Sequence, residues 1–164
     1  METIKIGILG LGTVGSGVIR ILRDHAEKIS NITGRRLEVK TVVVHNLKKK
    51  RSVDLTGINL TDNADDVLCD DEIQMVVEVM GTVNIAKEYI ERALKAGKHV
   101  ITANKDLIAT HGPELISLAK EHGCDLCYEA SVAGGIPILR TIVNSFAADR
   151  IIEVRGIDRK STRL

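Results

Sequence analysis

Apolar residues along the chain alternate between two spacings, one typical of strands and one typical of helices. The strand-like runs are short, rich in Val and Ile, and bounded by glycine or polar residues. The run at 73–80 is almost wholly apolar, which is expected when both faces of a sheet are covered. Six strands are predicted, at residues 4–10, 37–45, 73–80, 99–103, 125–130 and 150–157.

Helices are predicted between these strands, at residues 13–29, 62–69, 84–97, 106–123 and 134–147. An interruption is expected at Gly112-Pro113, because a proline inside a helix removes a hydrogen bond. Regular alternation with short connections predicts right-handed crossovers in one parallel sheet. The expected fold class is therefore α/β, a doubly wound, mostly parallel sheet of the Rossmann type, in one domain over residues 1–157.

Composition narrows the classes of function. The 164 residues are 44% apolar and 27% charged, which suits one globular domain. Lys and Arg total 23 against 22 acids, so no charge excess attracts nucleic acid or an anionic membrane. One Phe, two Tyr and no Trp leave no aromatic platform for stacking bases. With no signal sequence and no long apolar run, we expect a cytoplasmic protein without nucleic-acid or membrane partners.

Three cysteines are present, at positions 69, 124 and 127. Cys124 and Cys127 form a CxxC motif, which in other contexts binds zinc or performs redox chemistry. Here the motif leads into a strand and has no second ligand pair. Buried or half-buried free thiols are the favoured interpretation.

The first strand ends in the turn GLGTVG, with glycines at positions 10, 12 and 15. A lone GxGxxG is weak evidence, but this one follows a strand and opens a helix in an alternating βα chain. Gly10 would allow the tight turn, Gly12 the approach of a pyrophosphate, and Gly15 close packing of helix on strand. The motif predicts a dinucleotide site at the positive end of the helix dipole.

The end of the second strand indicates which dinucleotide is bound. NAD-specific folds usually carry an acid there, but this chain has His45 and Asn46, followed by a basic segment at 48–51. The cations could meet a 2′-phosphate, so NADP is the favoured cofactor. A solvated basic loop that contacts nothing is the alternative, and NAD stays open.

Lys105 is the candidate catalytic residue. It follows the strand at 99–103, and ligands of open α/β sheets bind at the carboxyl ends of strands. Hydride reduction of an aldehyde leaves an alkoxide, to which an ammonium group can supply both a proton and charge stabilisation. Desolvation at the strand end would ease release of the proton. From the residues alone, a structural or ribose-binding lysine is an equal alternative.

Three stretches together, GILGLGTVGSGV, ALKAGKHVITANKDL and YEASVAGGIPILRT, resemble the N-terminal half of homoserine dehydrogenases over about residues 4–157. The resemblance implies an enzyme that interconverts aspartate semialdehyde and homoserine with NAD(P)H, in threonine, methionine and isoleucine biosynthesis. It also implies a homo-oligomer. Thr82, which follows Gly81, stands where many members have a second glycine.

The resemblance further implies individual roles. Lys105 matches a lysine next to nicotinamide and substrate. A monovalent cation, usually sodium, is expected on a loop that supplies mainly backbone carbonyls, from Glu129, Val132, Gly134 and Ile136. The cofactor-binding residues are expected to be Gly10, Leu11, Gly12, Thr13, Val14, Gly15, His45, Gly81 and Lys105.

The last residues depart from the family pattern. In the family, the strand resembling 150–157 continues into a second domain with substrate-binding acids and another catalytic lysine. Residues 158–164, DRKSTRL, instead resemble a cloning remnant or an out-of-frame end. We therefore expect a cofactor-binding fragment that lacks the substrate domain and does not turn over.

Other functions need different features. A noncatalytic nucleotide-sensing Rossmann module would share the glycine turn, but the stretches TANK and EASVAGGIP argue against it. A phosphorylating semialdehyde dehydrogenase would need a positioned cysteine nucleophile. A sugar dehydrogenase of the broad Rossmann type would typically carry Glu-Lys-Pro around Lys105, where this chain has Asn-Lys-Asp.

Overall fold

A computed structural model describes residues 1–156. One sheet of six strands has the order β3-β2-β1-β4-β5-β6, and all of its neighbouring pairs are parallel. This is the order of the dinucleotide-binding sheet, and it confirms the predicted fold class. The strands are β1 Thr3–Leu9, β2 Arg36–Val43, β3 Asn59–Thr61, β4 Ile73–Glu78, β5 His99–Thr102 and β6 Leu126–Cys127.

Helices connect the strands except between β2 and β3, and α6 follows the last strand. They are α1 Thr13–Asp24, α2 Ala26–Thr33, α3 Asp65–Leu68, α4 Asn84–Lys95, α5 Lys105–Glu121 and α6 Ile138–Arg140. The chain fills one half of the sheet from β1 outward, then returns beside β1 with β4 and fills the other half. The segments after β1 and β4 therefore diverge, which opens the crevice where such sheets bind ligands.

Each face of the sheet has its own apolar core. Ile8 and Val77 contribute to one core together with Ile19 of α1. Leu9 and Val76, their neighbours along the chain, contribute to the other core, which includes residues of α3, α4 and α5. Because successive strand residues point to opposite faces, both faces are covered, as the apolar run in β4 predicts.

The helix expected at 13–29 is two helices. α1 ends at Asp24, and His25, with φ −118° and ψ 22°, separates it from α2. Ile19 of α1 is fully buried, whereas α2 has no buried residue. The apolar spacing runs through both helices, so the sequence pattern did not show where packing on the sheet ends.

The interruption expected at Gly112-Pro113 is wrong, because α5 runs unbroken from Lys105 to Glu121. Pro113 lacks an N–H group and removes one hydrogen bond. Leu107 and Leu115, on either side of it, are fully buried in the same core. Breaking the helix would lose more packing than the missing hydrogen bond costs.

The position expected for the sixth strand is also wrong. The sheet has six strands because it includes β3, which was not predicted; this strand lies beside β2 and has only three residues. Residues 150–156 form no strand, and Ile152 is 93% exposed, because no neighbouring strand pairs with them in the described structure. Ile157, the expected domain boundary there, and the tail at 158–164 lie outside the described residues.

The elements just before this segment are shorter than expected. β6 covers two residues instead of 125–130, and the helix expected at 134–147 is reduced to α6 and one wide turn over Thr141–Ser145. Ile136 and Val143 are 62% and 67% exposed. A helix without a surface to cover gains little free energy from forming, because most helical stability comes from packing.

Candidate cofactor site

The carboxyl ends of β1 and β4 border a cleft made of two adjoining cavities. The larger has a volume of about 630 Å³ and the smaller about 300 Å³. Leu11, Gly12, Lys49 and Arg51 line both. The cleft lies where the sequence predicts a dinucleotide, at the point where the strand order reverses.

The three glycines of the turn have three different surroundings. Gly10 has φ +103°, and a Cβ atom there would lie 2.8 Å from the carbonyl oxygen of Val79. A Cβ atom on Gly15 would overlap the carbonyl oxygen of Gly10. A Cβ atom on Gly12 would meet nothing within 4 Å. Gly10 and Gly15 are therefore required by the fold, whereas Gly12 keeps the floor of the cleft open.

The helix that follows has unsatisfied donors at its start. Gly12 is the N-cap and offers no side chain, and the first turn contains no acid. The first intrahelical bond is from Ser16 N to Gly12 O at 3.0 Å, so the N–H groups of residues 13–15 have no partner among the described residues. Such a helix start binds anions.

The remaining residues of the turn differ in exposure. Leu11 is only 5% exposed and packs into the core beside α1, while Val14 is 54% exposed. Thr13 is also exposed and lines the smaller cavity. The start of α1 thus lies next to the smaller cavity, which Gly12, Thr13 and Ser16 line.

The basic segment is packed on the glycine turn. Arg51 donates from Nη1 to Leu11 O at 3.0 Å and from Nη2 to Asn46 O at 2.6 Å. Its Nε atom is buried and has no hydrogen-bond partner in the described structure. Arg20 reaches across from α1 to Ser52, with 3.0 Å contacts to its carbonyl and hydroxyl oxygens. Arg51 is therefore held against the turn, whereas residues 48–50 are exposed, and contact of the basic segment with a cofactor stays a prediction.

His45 and Gly81 lie on opposite sides of the cleft entrance. His45 is exposed and lines the larger cavity. Gly81 has φ +78° and lies between Met80 and Thr82, both of which line the same cavity. Gly81 permits a left-handed turn that bends the loop after β4 around the cleft.

An acid that the sequence analysis missed also lines the larger cavity. Asp62 follows β3 directly, and β3 lies next to β2 in the sheet. No acid stands at the end of β2, as expected, but the neighbouring strand brings one into the cleft. The signal was hidden because Asn59–Thr61 is too short to be recognised as a strand.

Lys105 is the first residue of α5, directly after the N-cap Asn104. Its side chain is 74% exposed, and its Nζ atom lies 3.9 Å from Asp106 Oδ1. The expected desolvation of this lysine is therefore absent in this chain. Lys105 does not line either of the two cavities. Its role in catalysis stays a prediction.

A buried polar network, also missed by the sequence analysis, lies beneath Lys105. Glu78, Thr102 and Asn104 are 0%, 0% and 7% exposed. The Thr102 hydroxyl donates to Glu78 Oε2 at 2.6 Å and accepts from Asn104 N at 3.0 Å. Glu78 lies within the apolar run at 73–80 and Thr102 ends a strand, so their sequence positions signal no pairing.

The expected cation loop has an unusual backbone. Ala133 and Gly134 are consecutive residues with positive φ, at +54° and +62°. The Glu129 carboxylate accepts hydrogen bonds from the backbone N–H groups of Leu139 at 2.9 Å and Arg140 at 3.0 Å. Glu129 therefore ties the loop to α6. Val132 is half-buried and Ile136 exposed.

The three cysteines are free, as predicted, but only Cys124 is half-buried, and the expected burial is wrong for Cys69 and Cys127, which are exposed. Burial raises the pKa of the Cys124 thiol and of the Cys127 thiol, which disfavours the reactive thiolate. Residues 1–156 contain no group of three or more His, Cys, Asp or Glu side chains that could hold a metal ion. In the same residues, no helix is both long and apolar enough to span a bilayer.

Residues 10–129 match the family model described as the NAD-binding domain of homoserine dehydrogenase. The chain belongs to the homoserine dehydrogenase family. The homoserine dehydrogenase of Bacillus subtilis is 49% identical over 162 residues, which are 99% of this chain and 37% of that protein. The chain spans little more than a third of the length of such relatives and corresponds to their NAD-binding part.

Solved homoserine dehydrogenases share the fold. That of Thiobacillus denitrificans has a TM-score of 0.85 and 42% identity, covering 90% of this chain and 34% of its own. That of Staphylococcus aureus has a TM-score of 0.77 and 42% identity, covering 82% of this chain and 34% of its own. The expected resemblance to homoserine dehydrogenases is confirmed.

Proposed function

We propose that this chain is the cofactor-binding part of an enzyme that interconverts L-aspartate 4-semialdehyde and L-homoserine, on the route to threonine, methionine and isoleucine. The observation that carries this proposal is that α1 begins without a side-chain cap, next to Gly12, where a Cβ atom would meet no other atom, in a chain of this family. Isothermal titration of the 164-residue chain with NADPH and NADH tests it. Binding of neither cofactor would reject the proposal.

The residues fit a dinucleotide. The N–H groups of residues 13–15 would bind the pyrophosphate, and the space above Gly12, which a Cβ atom would enter, lets the phosphates approach the backbone. Met80 and Thr82 line the larger cavity towards the end of β4 and would border the nicotinamide half. When bound, the cofactor supplies or accepts the hydride.

NADP is the cofactor that the cleft supports best. Lys49, Lys50, Arg51 and Arg20 line the smaller cavity, where a 2′-phosphate would find several cations. The buried Nε donor of Arg51 has no partner in the described structure and could bind a phosphate oxygen. Asp62 in the larger cavity favours NAD instead, since a carboxylate can accept hydrogen bonds from ribose hydroxyls.

Lys105 would serve the substrate. The helix start on which it stands holds its backbone at the carboxyl end of β5, while its side chain is free to move. In the reduction direction its ammonium would give a proton to the alkoxide as the hydride arrives, and in oxidation its amine would accept the hydroxyl proton. Groups outside this chain would have to hold the substrate and exclude water.

A monovalent cation, best tested as sodium, would bind the loop of Glu129, Val132, Gly134 and Ile136. Support comes from the consecutive positive φ angles of Ala133 and Gly134, which turn the chain sharply between two of these carbonyls. The Glu129 carboxylate is already engaged by α6, so backbone carbonyls would be the main ligands. Thermal unfolding in NaCl and in choline chloride at equal ionic strength tests this, and equal midpoints would reject it.

We also propose a cytoplasmic homo-oligomer for the whole enzyme. Free thiols suit a reducing compartment. Exposed apolar side chains at the C-terminal end, such as Ile136 and Val143, suit burial against further protein. Light scattering of the full-length enzyme tests the oligomer, and a monomer at assay concentration would contradict it.

A further inference from the structure

A buried acid stands at the end of β4, directly beneath the cleft. Glu78 is 0% exposed, and within residues 1–156 its carboxylate forms no ion pair. Its partners are neutral: Oε1 accepts from Met80 N at 2.8 Å, and Oε2 accepts from the Thr102 hydroxyl at 2.6 Å. A buried carboxylate without a cation is costly, so stability alone does not account for an acid here.

The hydrogen bonds of Glu78 continue into the start of α5. The Thr102 oxygen that donates to Glu78 accepts from Asn104 N at 3.0 Å. Asn104 Nδ2 donates to Thr82 O at 2.8 Å, and Asn104 Oδ1 accepts from Leu107 N at 3.2 Å. The network therefore ties the loop after β4, at Met80 and Thr82, to the helix that begins at Lys105.

The first of these two segments lines what would be the nicotinamide end of the cleft. Met80 and Thr82 line the larger cavity, with Gly81 in a left-handed conformation between them. Lys105 follows Asn104 directly. The glycine turn and the basic segment, at the phosphate and adenosine end, form no hydrogen bond to this network within the described residues. The network thus controls one end of the site.

We propose that Glu78 is a positioning residue. Its carboxylate fixes the loop of residues 80–82 and, through Thr102 and Asn104, the start of α5 in the one arrangement that receives the nicotinamide half of the cofactor. This inference rests on the proposed function, because it assumes a dinucleotide in the cleft. It assigns to Glu78 no contact with the cofactor or with the substrate.

The substitution Glu78→Gln separates positioning from stability. The amide keeps the size of the side chain and removes the buried charge, so the free energy of unfolding should not fall much. Only one of its two terminal groups is an acceptor, however. If the oxygen keeps the bond to Met80 N, the amide donates to Thr102, whose hydroxyl must find another acceptor. The Thr102 hydroxyl proton then has no acceptor at position 78, so the link between the loop and α5 is weakened and its geometry changes.

The experiment compares cofactors with and without the nicotinamide ring on the 164-residue chain. NADPH is paired with ADP-ribose 2′-phosphate, and NADH with ADP-ribose; the tighter-binding pair is used in titrations of each variant. Glu78→Gln and Thr102→Val should each lower the affinity for the reduced cofactor by about tenfold, which is the effect of losing a hydrogen bond to a charged group. The affinity for the ring-free ligand should fall by less than about twofold. Thr102→Ser, which keeps the hydroxyl, should restore binding.

Thr41→Val is the matched control, since Thr41 is a 2% exposed threonine of β2 outside the network, and it should change neither affinity. Circular dichroism checks that Glu78→Gln remains folded, which keeps the test valid if Thr102→Val unfolds. Equal weakening of both ligands, or none, in folded Glu78→Gln would overturn the positioning role. If the unsubstituted chain binds none of the four ligands, the proposed function falls, and this inference falls with it.

Discussion

Residues 1–127 and residues 128–156 carry similar apolar patterns but fold to different extents. In the first region the strands have neighbours and both faces of the sheet are covered, so Leu94 and Leu107 are fully buried. In the second, Ile136, Val143 and Ile152 are 62%, 67% and 93% exposed, and the longest helical turn has five residues. The same apolar spacing yields long elements only where another layer buries it.

The cofactor cleft and the expected cation loop lie in different regions of the chain. The cofactor cleft belongs to the first region, whose sheet has an apolar core on each face. The expected cation loop and the apolar segments after it belong to the second, which presents apolar surface that no other described residues cover.

The 164-residue chain should bind cofactor without oxidising homoserine. Holding a substrate against the nicotinamide supplies roughly 7 to 11 kcal/mol of barrier lowering, and Lys105 is 74% exposed with nothing in the described structure to enclose a substrate. A steady-state assay of NADPH formation should therefore show a rate at least about 10⁵-fold below that of a full-length homoserine dehydrogenase. Turnover near the full-length rate would show that the first region alone forms a working active site.

Core substitutions should affect stability only in the first region. Leu107→Ala removes a fully buried side chain and should lower the free energy of unfolding by about 2–5 kcal/mol. Ile152→Ala removes a 93% exposed side chain and should change it by less than about 0.5 kcal/mol. Urea unfolding measures both, and a comparable loss for the two variants would mean that residues 128–156 are packed in solution.

Lys105→Ala should act on chemistry rather than on cofactor binding. In a full-length homoserine dehydrogenase carrying this domain, kcat should fall about 10²-fold or more, which is the range for a lost general acid. The Kd for NADPH should change much less, because Lys105 does not line the cofactor cavities. Lys95→Ala, at the exposed end of α4, is the control. A nearly normal kcat would assign Lys105 a structural role.

Arg51→Leu should lower the affinity for NADPH by about tenfold and that for NADH much less, since a charge-assisted bond to the 2′-phosphate is lost. Arg36→Leu, an exposed arginine at the opposite end of β2, should leave both affinities unchanged. Titrations at fixed salt measure these values. If the unsubstituted chain binds NADH more tightly than NADPH, Arg51 does not select the cofactor.

The smallest effect concerns pH and the amino-terminal edge of the sheet. The hydrogen bond from Lys40 Nζ to Asp70 Oδ2, at 2.5 Å, lowers the pKa of Asp70 below its ordinary 3.8. Lys98, whose Nζ donates to Asp70 O at 2.7 Å, adds a weaker effect in the same direction. Because the folded-state pKa is the lower one, the stabilisation is present above about pH 4 and lost as the pH falls through the folded value.

Lys40→Met should therefore lower the urea midpoint slightly at pH 7 and bring it closer to that of the unsubstituted chain below pH 3. Lys28→Met, on the exposed helix α2, is the matched control and should change neither value. If the two urea midpoints differ by the same amount at both pH values, the effect of Lys40 does not depend on the ionisation of Asp70.

The sequence by itself determined the fold class, the glycine turn and the strand that precedes Lys105. These features are local: apolar periodicity sets strand or helix, and Gly10 and Gly15 are needed where a Cβ atom would strike Val79 or Gly10. The tertiary structure decided which of the predicted elements formed. Residues 150–156 have a strand-like pattern but no neighbouring strand, whereas β3 forms from three residues because β2 lies beside it.

The contacts that hold the site together also depend on the tertiary structure. Glu78 and Thr102 meet because β4 and β5 are paired in register, and Arg51 meets Leu11 because its loop folds back over the turn. Asp62 enters the cleft through the position of β3. These two hydrogen bonds join residues that are 24 and 40 positions apart in the chain. A local sequence pattern carries no information about such contacts, because burial and hydrogen bonding are set by the neighbours that the fold brings together.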